Sequence, residues 1–247
     1  MKILSIDTSG QQANAAIMYT PSPNNYIIVG EINLNARTGE KSWTHSEILM
    51  PGIDSLFHLT GTNPQDIDYI AYTNGPGSFT GLRIGASTAI GLAAGLNKPT
   101  IAVPTLDALA YNMLSTGNTG LVVPMMDARR EQVYSAVYAQ GENGKLTRES
   151  EYMAVSIEEI VQLVTESHQL NICFLGDGAC ANKNYLQTSL PHAIFASPNN
   201  NRLRASSAGI WAIEQIQSGR VLSDKVEILY VRAPQAVQDL AKRQKHD

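Results

Sequence analysis

Acidic and hydroxyl residues stand at the ends of predicted strands, where α/β proteins often place groups that bind phosphate. Asp7-Thr8-Ser9 follows the mostly apolar segment Ile3–Ile6, and Asp127 follows Leu121–Met126. Gly176-Asp177-Gly178 follows a third apolar segment at a turn into a helix. Carboxylates, hydroxyls and backbone N–H groups that meet at strand ends can hold a phosphate or a metal-bound water. The candidate nucleotide site therefore comprises Asp7, Thr8, Ser9, Asp127, Gly176 and Gly178.

The same residues also suit ordinary turns, because Asp, Thr and Ser side chains hydrogen-bond to nearby backbone groups. Arg129 and Arg130 follow Asp127 directly, where a phosphate-binding loop normally has small residues. The turn Gly75–Ser78 lacks the Gly-Lys-Ser/Thr ending of a P-loop. A nucleotide site and a set of structural turns remain open alternatives on this evidence.

Metal-binding and nucleophile motifs are absent from the sequence. No two of the 5 histidines have the HxxxH or HExxH spacing that places two imidazoles on one helix face. No GxSxG motif occurs, and Ser78 is interpreted as a helix cap. Cys173 and Cys180 form no CxxC pair, so we expect reduced thiols. The sequence predicts neither a catalytic residue nor a metal site.

Small residues recur at every fourth position of the segment Thr80–Gly95. Gly81, Gly85, Ala89 and Ala93 form one helical stripe, here called the glycine stripe, with almost no side-chain bulk. Each interior glycine costs about 1 kcal/mol relative to alanine, so a packing gain must offset it. Close packing on the chain's own sheet and contact with a helix of another chain explain the stripe equally well.

The elements that position these residues alternate between strand and helix. An antiparallel meander is predicted first, then a helix, and then a βαβ unit with parallel strands. The meander covers Lys2–Asp7, Ala13–Tyr19 and Tyr26–Leu34, the helix Thr44–Leu59, and the βαβ unit Asp68–Thr73, Thr80–Gly95 and Lys98–Val103.

The second half repeats this order. The predicted elements are a helix at Leu106–Leu114, a hairpin of Leu121–Met126 with Gln132–Gln140, a helix at Ser156–Val164, a strand at Ile172–Leu175, a helix at Ala205–Ser218 and an extended segment at Glu227–Arg232. The repeated order predicts a duplicated α/β architecture with two subdomains, residues 1–103 and 104–247.

Charge and hydrophobicity limit the partners of the chain. Its 18 Lys and Arg residues face 22 Asp and Glu residues, a net charge of −4. Since a protein that holds nucleic acid alone normally carries excess positive charge, we expect any RNA contact to be shared with another subunit. No segment approaches the roughly 18 apolar residues of a membrane span, and the apolar N-terminal segment is too short for a signal peptide. We expect a cytoplasmic protein with no membrane contact.

Several segments together resemble the TsaB (YeaZ) family. The run Gly75-Pro76-Gly77-Ser78-Phe79-Thr80-Gly81-Leu82-Arg83-Ile84-Gly85 is the most specific of them. The resemblance covers nearly the whole chain, in the same order, through Ile3–Ser9, His45–Pro51, Asp127–Arg130, Val133-Tyr134 and Tyr230-Val231-Arg232.

The resemblance implies an actin-like ATPase (ASKHA, ribonuclease H-like) fold with two similar subdomains and mixed sheets. It implies a non-catalytic partner of TsaD, the protein that transfers the threonylcarbamoyl group in forming N6-threonylcarbamoyladenosine (t6A) beside the tRNA anticodon. It further implies recruitment of the ATPase TsaE, a homodimer when TsaD is absent, and only indirect tRNA contact. ATP and metal are expected on TsaD and TsaE, with no cofactor on this chain.

The resemblance also assigns a partner interface, which comprises His45, Leu49, Ile53, Thr80, Gly81, Gly85, Ala89 and Ala93. A bulky residue at Gly85 or Ala89 is then expected to abolish pairing with TsaD while leaving the fold intact. Thr105 and Leu109 occupy the places of the two histidines in the HxxxH metal motif of TsaD-like proteins. The alternative is an independent actin-like enzyme, either an ATP-dependent phosphotransferase that uses Asp7 and Asp127 or a metallopeptidase.

Overall fold

The computed structural model describes residues 1–35, 37–38, 41–114, 120–141, 144–169, 171–219 and 227–231. The strands are β1 Lys2–Asp7, β2 Gln12–Ser22, β3 Asn25–Asn35, β4 Arg37–Thr38, β5 Lys41–Ser42, β6 Tyr69–Gly75, β7 Thr100–Pro104, β8 Gly120–Asp127, β9 Gln132–Ser135, β10 Tyr138–Gln140, β11 Leu146–Arg148, β12 Met153–Ser156, β13 Ile172–Leu175 and β14 Ile194–Phe195. The α-helices are α1 His45–Thr60, α2 Phe79–Leu96, α3 Thr105–Ala110, α4 Ile157–Glu166, α5 Asp177–Ala181, α6 Lys183–Ser189 and α7 Ala205–Gln217.

The first sheet has the strand order β3-β2-β1-β6-β7. The strands β1, β2 and β3 form the predicted antiparallel meander, and β1, β6 and β7 run parallel. Successive residues of β1 face opposite sides of the sheet: Leu4 belongs to the core beneath α1 and α2, and Ile3 to the core beneath α7. Helices therefore cover both faces of this sheet.

The second sheet has the order β11-β10-β8-β13-β14, and β9 pairs with both β8 and β12. The strands β8, β13 and β14 run parallel, whereas β9 and β10 are antiparallel to β8. Both main sheets are therefore mixed, as predicted. The predicted hairpin between β8 and the strand after it is also confirmed.

The prediction of one strand over Gln132–Gln140 is wrong, because two strands, β9 and β10, occupy this stretch. They pair with opposite ends of β8, on either side of Pro124. A proline nitrogen has no hydrogen to donate to a sheet, so the neighbouring strand breaks there. The Ser135 hydroxyl donates to the Pro124 carbonyl across the break at 2.8 Å.

Helix α7 follows the second sheet in the chain but packs on the first. Gly209 lies so close to β2 that an added Cβ would be 2.7 Å from Cγ of Met18. The Ser5 hydroxyl of β1 donates to the carbonyl of Ala205 at the start of α7. The subdomain boundary between residues 103 and 104 stays a prediction.

Two tyrosine hydroxyls share the Glu214 carboxylate of α7, and this arrangement predicts a loss of stability at high pH. Tyr26 donates to Oε1 at 3.1 Å and Tyr111 to Oε2 at 2.6 Å. Burial, followed by the charge of Glu214, raises the pKa of Tyr26 to about 12. Burial, followed by the hydrogen bond to Glu214, raises the pKa of Tyr111 still further. The folded chain therefore holds both protons more tightly than the unfolded chain does.

The stabilisation from these tyrosines is complete below the unfolded pKa of about 10 and is lost as the pH rises through the folded pKa values. We expect the free energy of unfolding, measured in urea, to fall from pH 10 upward. Tyr111→Phe should be less stable at pH 8, because a hydrogen bond is lost, but should show a shallower alkaline decline. An identical slope for wild type and Tyr111→Phe would contradict the assignment.

Candidate functional site

Helix α2 begins directly after β6, at a turn that its residues make sharp. Gly75 has φ 120°, and a Cβ there would lie 2.3 Å from the Leu229 carbonyl oxygen. The Ser78 hydroxyl accepts the Gly81 N–H at 3.3 Å and so caps the helix, as predicted. Asn97, in the left-handed conformation, ends it. The turn fixes where α2 crosses the first sheet.

The glycine stripe faces the interior of the chain. Gly81, Gly85, Ala89 and Ala93 are all buried. An added Cβ would lie 2.1 Å from the Thr8 carbonyl oxygen at Gly81 and 2.3 Å from Thr8 Oγ1 at Gly85. The Thr8 hydroxyl donates to the Gly81 carbonyl at 2.7 Å. The glycines therefore allow α2 to lie against the end of β1, which corrects their assignment to a partner interface.

The α1 residues of the expected interface are also mostly internal. Leu49 and Ile53 are each 1% exposed and pack in the core beneath α1 and α2. His45, at the start of α1, is half-buried. Thr80 is the one member of the expected interface that is exposed. The surface available to a partner is therefore a different face of α2 from the one predicted.

The exposed side of α2, here called the outer face, is formed by Thr80, Arg83, Ser87 and Gly91, with Ile84 and Thr88 half-buried beside them. Arg83 is the single charged residue of this helix. A Cβ added at Gly91 would have no neighbour within 4 Å. The roughly 1 kcal/mol that this glycine costs the helix is therefore not offset by packing in the described part of the chain.

By length and composition, α2 is also the one helix among the described residues that could cross a membrane. Core helices of soluble proteins meet the same criterion. The inner face of α2, formed by the glycine stripe, is packed on the sheet, and the outer face is small and nearly uncharged. Such a surface suits contact with another helix.

An aromatic pair and the guanidinium group of Arg83 lie at the N-terminal end of the outer face. The Phe79 and Tyr230 rings are 5.7 Å apart, and Arg83 Cζ lies 3.9 Å from the Phe79 ring centroid. The Leu229 N–H donates to the Asn74 carbonyl at 2.7 Å and holds residues 227–231 beside the helix. Arg232, the last residue of the family-like Tyr-x-Arg element, lies outside the described residues.

Asp7 lies at the bottom of a cleft of about 150 Å³ between the ends of β1, β8 and β13. It is 2% exposed, and its carboxylate accepts four hydrogen bonds. Oδ1 accepts from Ser9 N at 3.0 Å, Ser9 Oγ at 2.6 Å and Thr73 Oγ1 at 2.7 Å. Oδ2 accepts from Asn14 Nδ2 at 2.9 Å. These bonds hold the turn after β1, so Asp7 has a structural role.

The structure brings together only part of the predicted nucleotide site. Asp7, Ser9 and Gly176 line the cleft, together with polar residues that the prediction did not include, among them Asn14, Asn201 and Arg202. The pairing of Asp7 with Asn14 across β1 and β2 could have indicated Asn14, since the meander was predicted.

The remaining members of that predicted site have other roles. Thr8 faces α2, and Asp127 is exposed, where its Oδ1 accepts the Arg129 N–H at 2.7 Å. A Cβ at Gly176 would lie 2.1 Å from the Met125 carbonyl oxygen, and one at Gly178 would lie 3.1 Å from Met125. These glycines therefore allow close approach to β8. The cleft is also smaller than the roughly 300 Å³ of typical small-molecule sites.

The residues at the places of the metal-binding histidines have structural roles. Thr105 Oγ1 accepts the Gly75 N–H at 3.1 Å, and Leu109 is buried beside the cleft. Across the described ranges, no three His, Cys, Asp or Glu side chains are grouped to hold a metal ion. Cys173 and Cys180 are both free thiols, and burial raises the pKa of Cys173 to about 11.

Comparison with known proteins places this geometry in a family. The family model described as "TsaD: tRNA N6-adenosine threonylcarbamoyltransferase" matches residues 39–212. The Bacillus subtilis protein named tRNA threonylcarbamoyladenosine biosynthesis protein TsaB is 33% identical over 190 residues, 77% of each chain. This chain belongs to the TsaB (YeaZ) family. The Escherichia coli TsaB protein is 35% identical over 144 residues, 58% of each chain, and that of Haemophilus influenzae is 25% identical over 94% of each.

Solved structures agree with this family assignment at the level of the fold. YeaZ from Pseudomonas aeruginosa matches with a TM-score of 0.71 at 22% identity, over 93% of this chain and 99% of that one. A second Pseudomonas aeruginosa structure, described as similar to peptidase YEAZ, gives 0.73 at 22% identity, over 94% and 99%. The TsaB-family chain thus has the expected actin-like fold, with two subdomains and mixed sheets.

Proposed function

We propose that this chain is the non-catalytic partner of a TsaD-type transferase in the synthesis of t6A in tRNA. Its family supports a role in t6A biosynthesis, because curated TsaB relatives carry that name. The match of residues 39–212 to the TsaD family model supports a common fold with the transferase itself. Two related chains of similar fold can pair through equivalent helices.

The observation that carries the proposal is the outer face of α2. Ser87 and Gly91 are exposed and small, and no acidic residue or lysine occurs anywhere in the helix. The cores of protein interfaces are depleted in charged residues, and small side chains let two helix backbones approach closely. A partner helix on this face would supply the packing that offsets the cost of Gly91.

The chemistry in this proposal resides on the partner. The Asp7 carboxylate already accepts four hydrogen bonds, from Ser9, Asn14 and Thr73. Thr105 and Leu109 occupy the histidine positions. We therefore propose that ATP and metal act on TsaD and on the ATPase TsaE, which the complex recruits. The net charge of −4 supports tRNA contact only through the complex. We propose the cytoplasm as the place of this reaction. When alone, the chain would form a homodimer through the same face.

Depletion of the chain in its own cells tests the proposal. We expect t6A, measured by mass spectrometry of digested tRNA, to fall several-fold, and TsaD to co-purify with the tagged chain. Restoring the wild-type chain from a plasmid should restore t6A, which controls for indirect effects of depletion. Unchanged t6A would contradict the proposed function. If t6A falls as expected but TsaD is absent from the purified material, the proposed partner is wrong.

A further inference from the structure

Arg83 is held in one orientation on the outer face. Its guanidinium lies over the Phe79 ring, with Cζ 3.9 Å from the centroid, and its Nε donates to the Tyr230 hydroxyl at 3.4 Å. Stacking on an aromatic face and a hydrogen bond at one edge together fix the plane of the group. Within the described ranges, Nη1 and Nη2 have no hydrogen-bond acceptor or ion-pair partner. Arg83 is exposed, so these two donor nitrogens are available to a partner.

A partner that covers the outer face would also cover this charge. A guanidinium buried without a counter-charge is strongly unfavourable, whereas one paired with a carboxylate forms two parallel, charge-assisted hydrogen bonds. We propose that Arg83 is the residue that selects the partner, by binding an aspartate or glutamate side chain on the facing helix of a TsaD-type subunit. This inference rests on the proposed function.

The residues of α1 and α2 favour TsaD over a second copy as the source of this carboxylate. Helix α2 contains no Asp or Glu, so α2 of a second copy would bring none to Arg83. On α1, Glu47 is engaged at the helix start, where its Oε2 accepts from Thr44 N at 2.6 Å and Thr44 Oγ1 at 2.8 Å. Asp54 of α1 is exposed and is the remaining acid there. A TsaD-type subunit, which has a different sequence, can present a carboxylate to Arg83 from other positions.

The N-terminal location of Arg83 on α2 favours the same kind of ligand. The first turn of a helix carries a partial positive charge from its unpaired N–H groups. Arg83 lies one turn after Phe79, the first residue of α2. A carboxylate bound by Arg83 would therefore also be stabilised by the helix dipole, whereas a cation would be repelled.

Binding of purified TsaD to wild type, Arg83→Ala and Arg83→Lys tests the inference. We expect Arg83→Ala to weaken binding at least ~30-fold, as for a truncated buried ion pair. Arg83→Lys should recover only part of the loss, because an ammonium cannot form two parallel hydrogen bonds with a carboxylate. Tyr230→Phe, which keeps the ring and removes the hydroxyl, should weaken binding only a few-fold. Thermal unfolding of each variant checks that this exposed substitution leaves the fold unchanged.

The outcomes separate this inference from the proposed function. If wild type does not bind TsaD, both fail. If wild type binds TsaD and Arg83→Ala binds within ~3-fold of it, the inference fails and the proposed function stands. Self-association, measured by sedimentation, should not weaken in Arg83→Ala, because α2 of a second copy offers the guanidinium no carboxylate. A large loss of self-association with unchanged TsaD binding would overturn the inference and indicate Asp54 of a second copy as the acceptor.

Discussion

Gly81→Ala is expected to lower the free energy of unfolding by about 3 kcal/mol, the upper part of the usual range for overpacking. The added Cβ would lie 2.1 Å from the Thr8 carbonyl oxygen, a backbone atom that cannot move aside without displacing β1. Alanine favours a helix over glycine by about 1 kcal/mol, so the steric term must exceed that gain. Urea denaturation followed by circular dichroism would measure the change, with the slope against denaturant checked for constancy.

Gly91→Ala is the matched control, because it places the same substitution in the same helix. A Cβ there meets nothing within 4 Å, so the chain alone should gain up to about 1 kcal/mol of stability. The two changes are therefore expected to have opposite signs. A loss of stability of similar size at both positions would show that a general effect of substitution in α2, and not contact with Thr8, decides the result.

Ser87→Trp is expected to weaken association with TsaD about 100-fold, the effect of roughly 3 kcal/mol of steric conflict. Ser87 is exposed in the middle of the outer face, between Arg83 and Gly91. An indole there would hold the partner helix away from the small residues on both sides. The stability of the isolated chain should change little, since the side chain points to solvent. Titration of labelled chain with TsaD would measure the affinity.

Gln187→Trp provides the control for a large aromatic residue on an exposed helix. Gln187 lies on α6, beside the second sheet, away from the outer face. We expect this variant to bind TsaD with wild-type affinity. Equal affinity of Ser87→Trp and wild type for TsaD would show that the outer face is not part of the interface. Weakened binding by Gln187→Trp would show that TsaD contacts α6.

Most of the fold follows from local patterns in the sequence. The meander, the βαβ unit around α2 and the hairpin after β8 each depend on neighbouring segments with clear periodicity, and each is confirmed. The break between β9 and β10 was missed because its cause, Pro124, lies on the opposite strand. The hydrophobic pattern within one segment does not show that the strand paired with it lacks a backbone hydrogen-bond donor.

The direction of the glycine stripe could not be predicted from its spacing. Spacing shows that Gly81 and Gly85 share a helix face, but only the three-dimensional structure shows that Thr8 meets that face. The expectation that a bulky residue at Gly85 would spare the fold is corrected for the same reason. The second small-residue face was visible in the sequence as Ser87 and Gly91, four residues apart. The longer repeat of Gly81, Gly85, Ala89 and Ala93 is the stronger pattern, and the prediction was based on it.

The polar residues of the cleft could also be predicted only in part: their meeting was predicted, but the role of Asp7 was not. Asp7 and Gly176 were predicted to meet, and they do line one cleft, because β1 and β13 end beside each other. The function of Asp7 depends on donors from three separate elements, among them Thr73 and Asn14. Residue type alone cannot distinguish a carboxylate that awaits a ligand from one that already accepts four hydrogen bonds.

The most direct test of a partner surface on α2 is t6A formation by TsaD in the presence of each variant of this chain. Purified TsaD and TsaE, with threonylcarbamoyl adenylate and unmodified tRNA, would be combined with wild type, Ser87→Trp or Gln187→Trp, and t6A measured by mass spectrometry. We predict full modification with wild type and Gln187→Trp, and near-background modification with Ser87→Trp. Full modification with Ser87→Trp would show that the outer face of α2 is not the surface that binds TsaD.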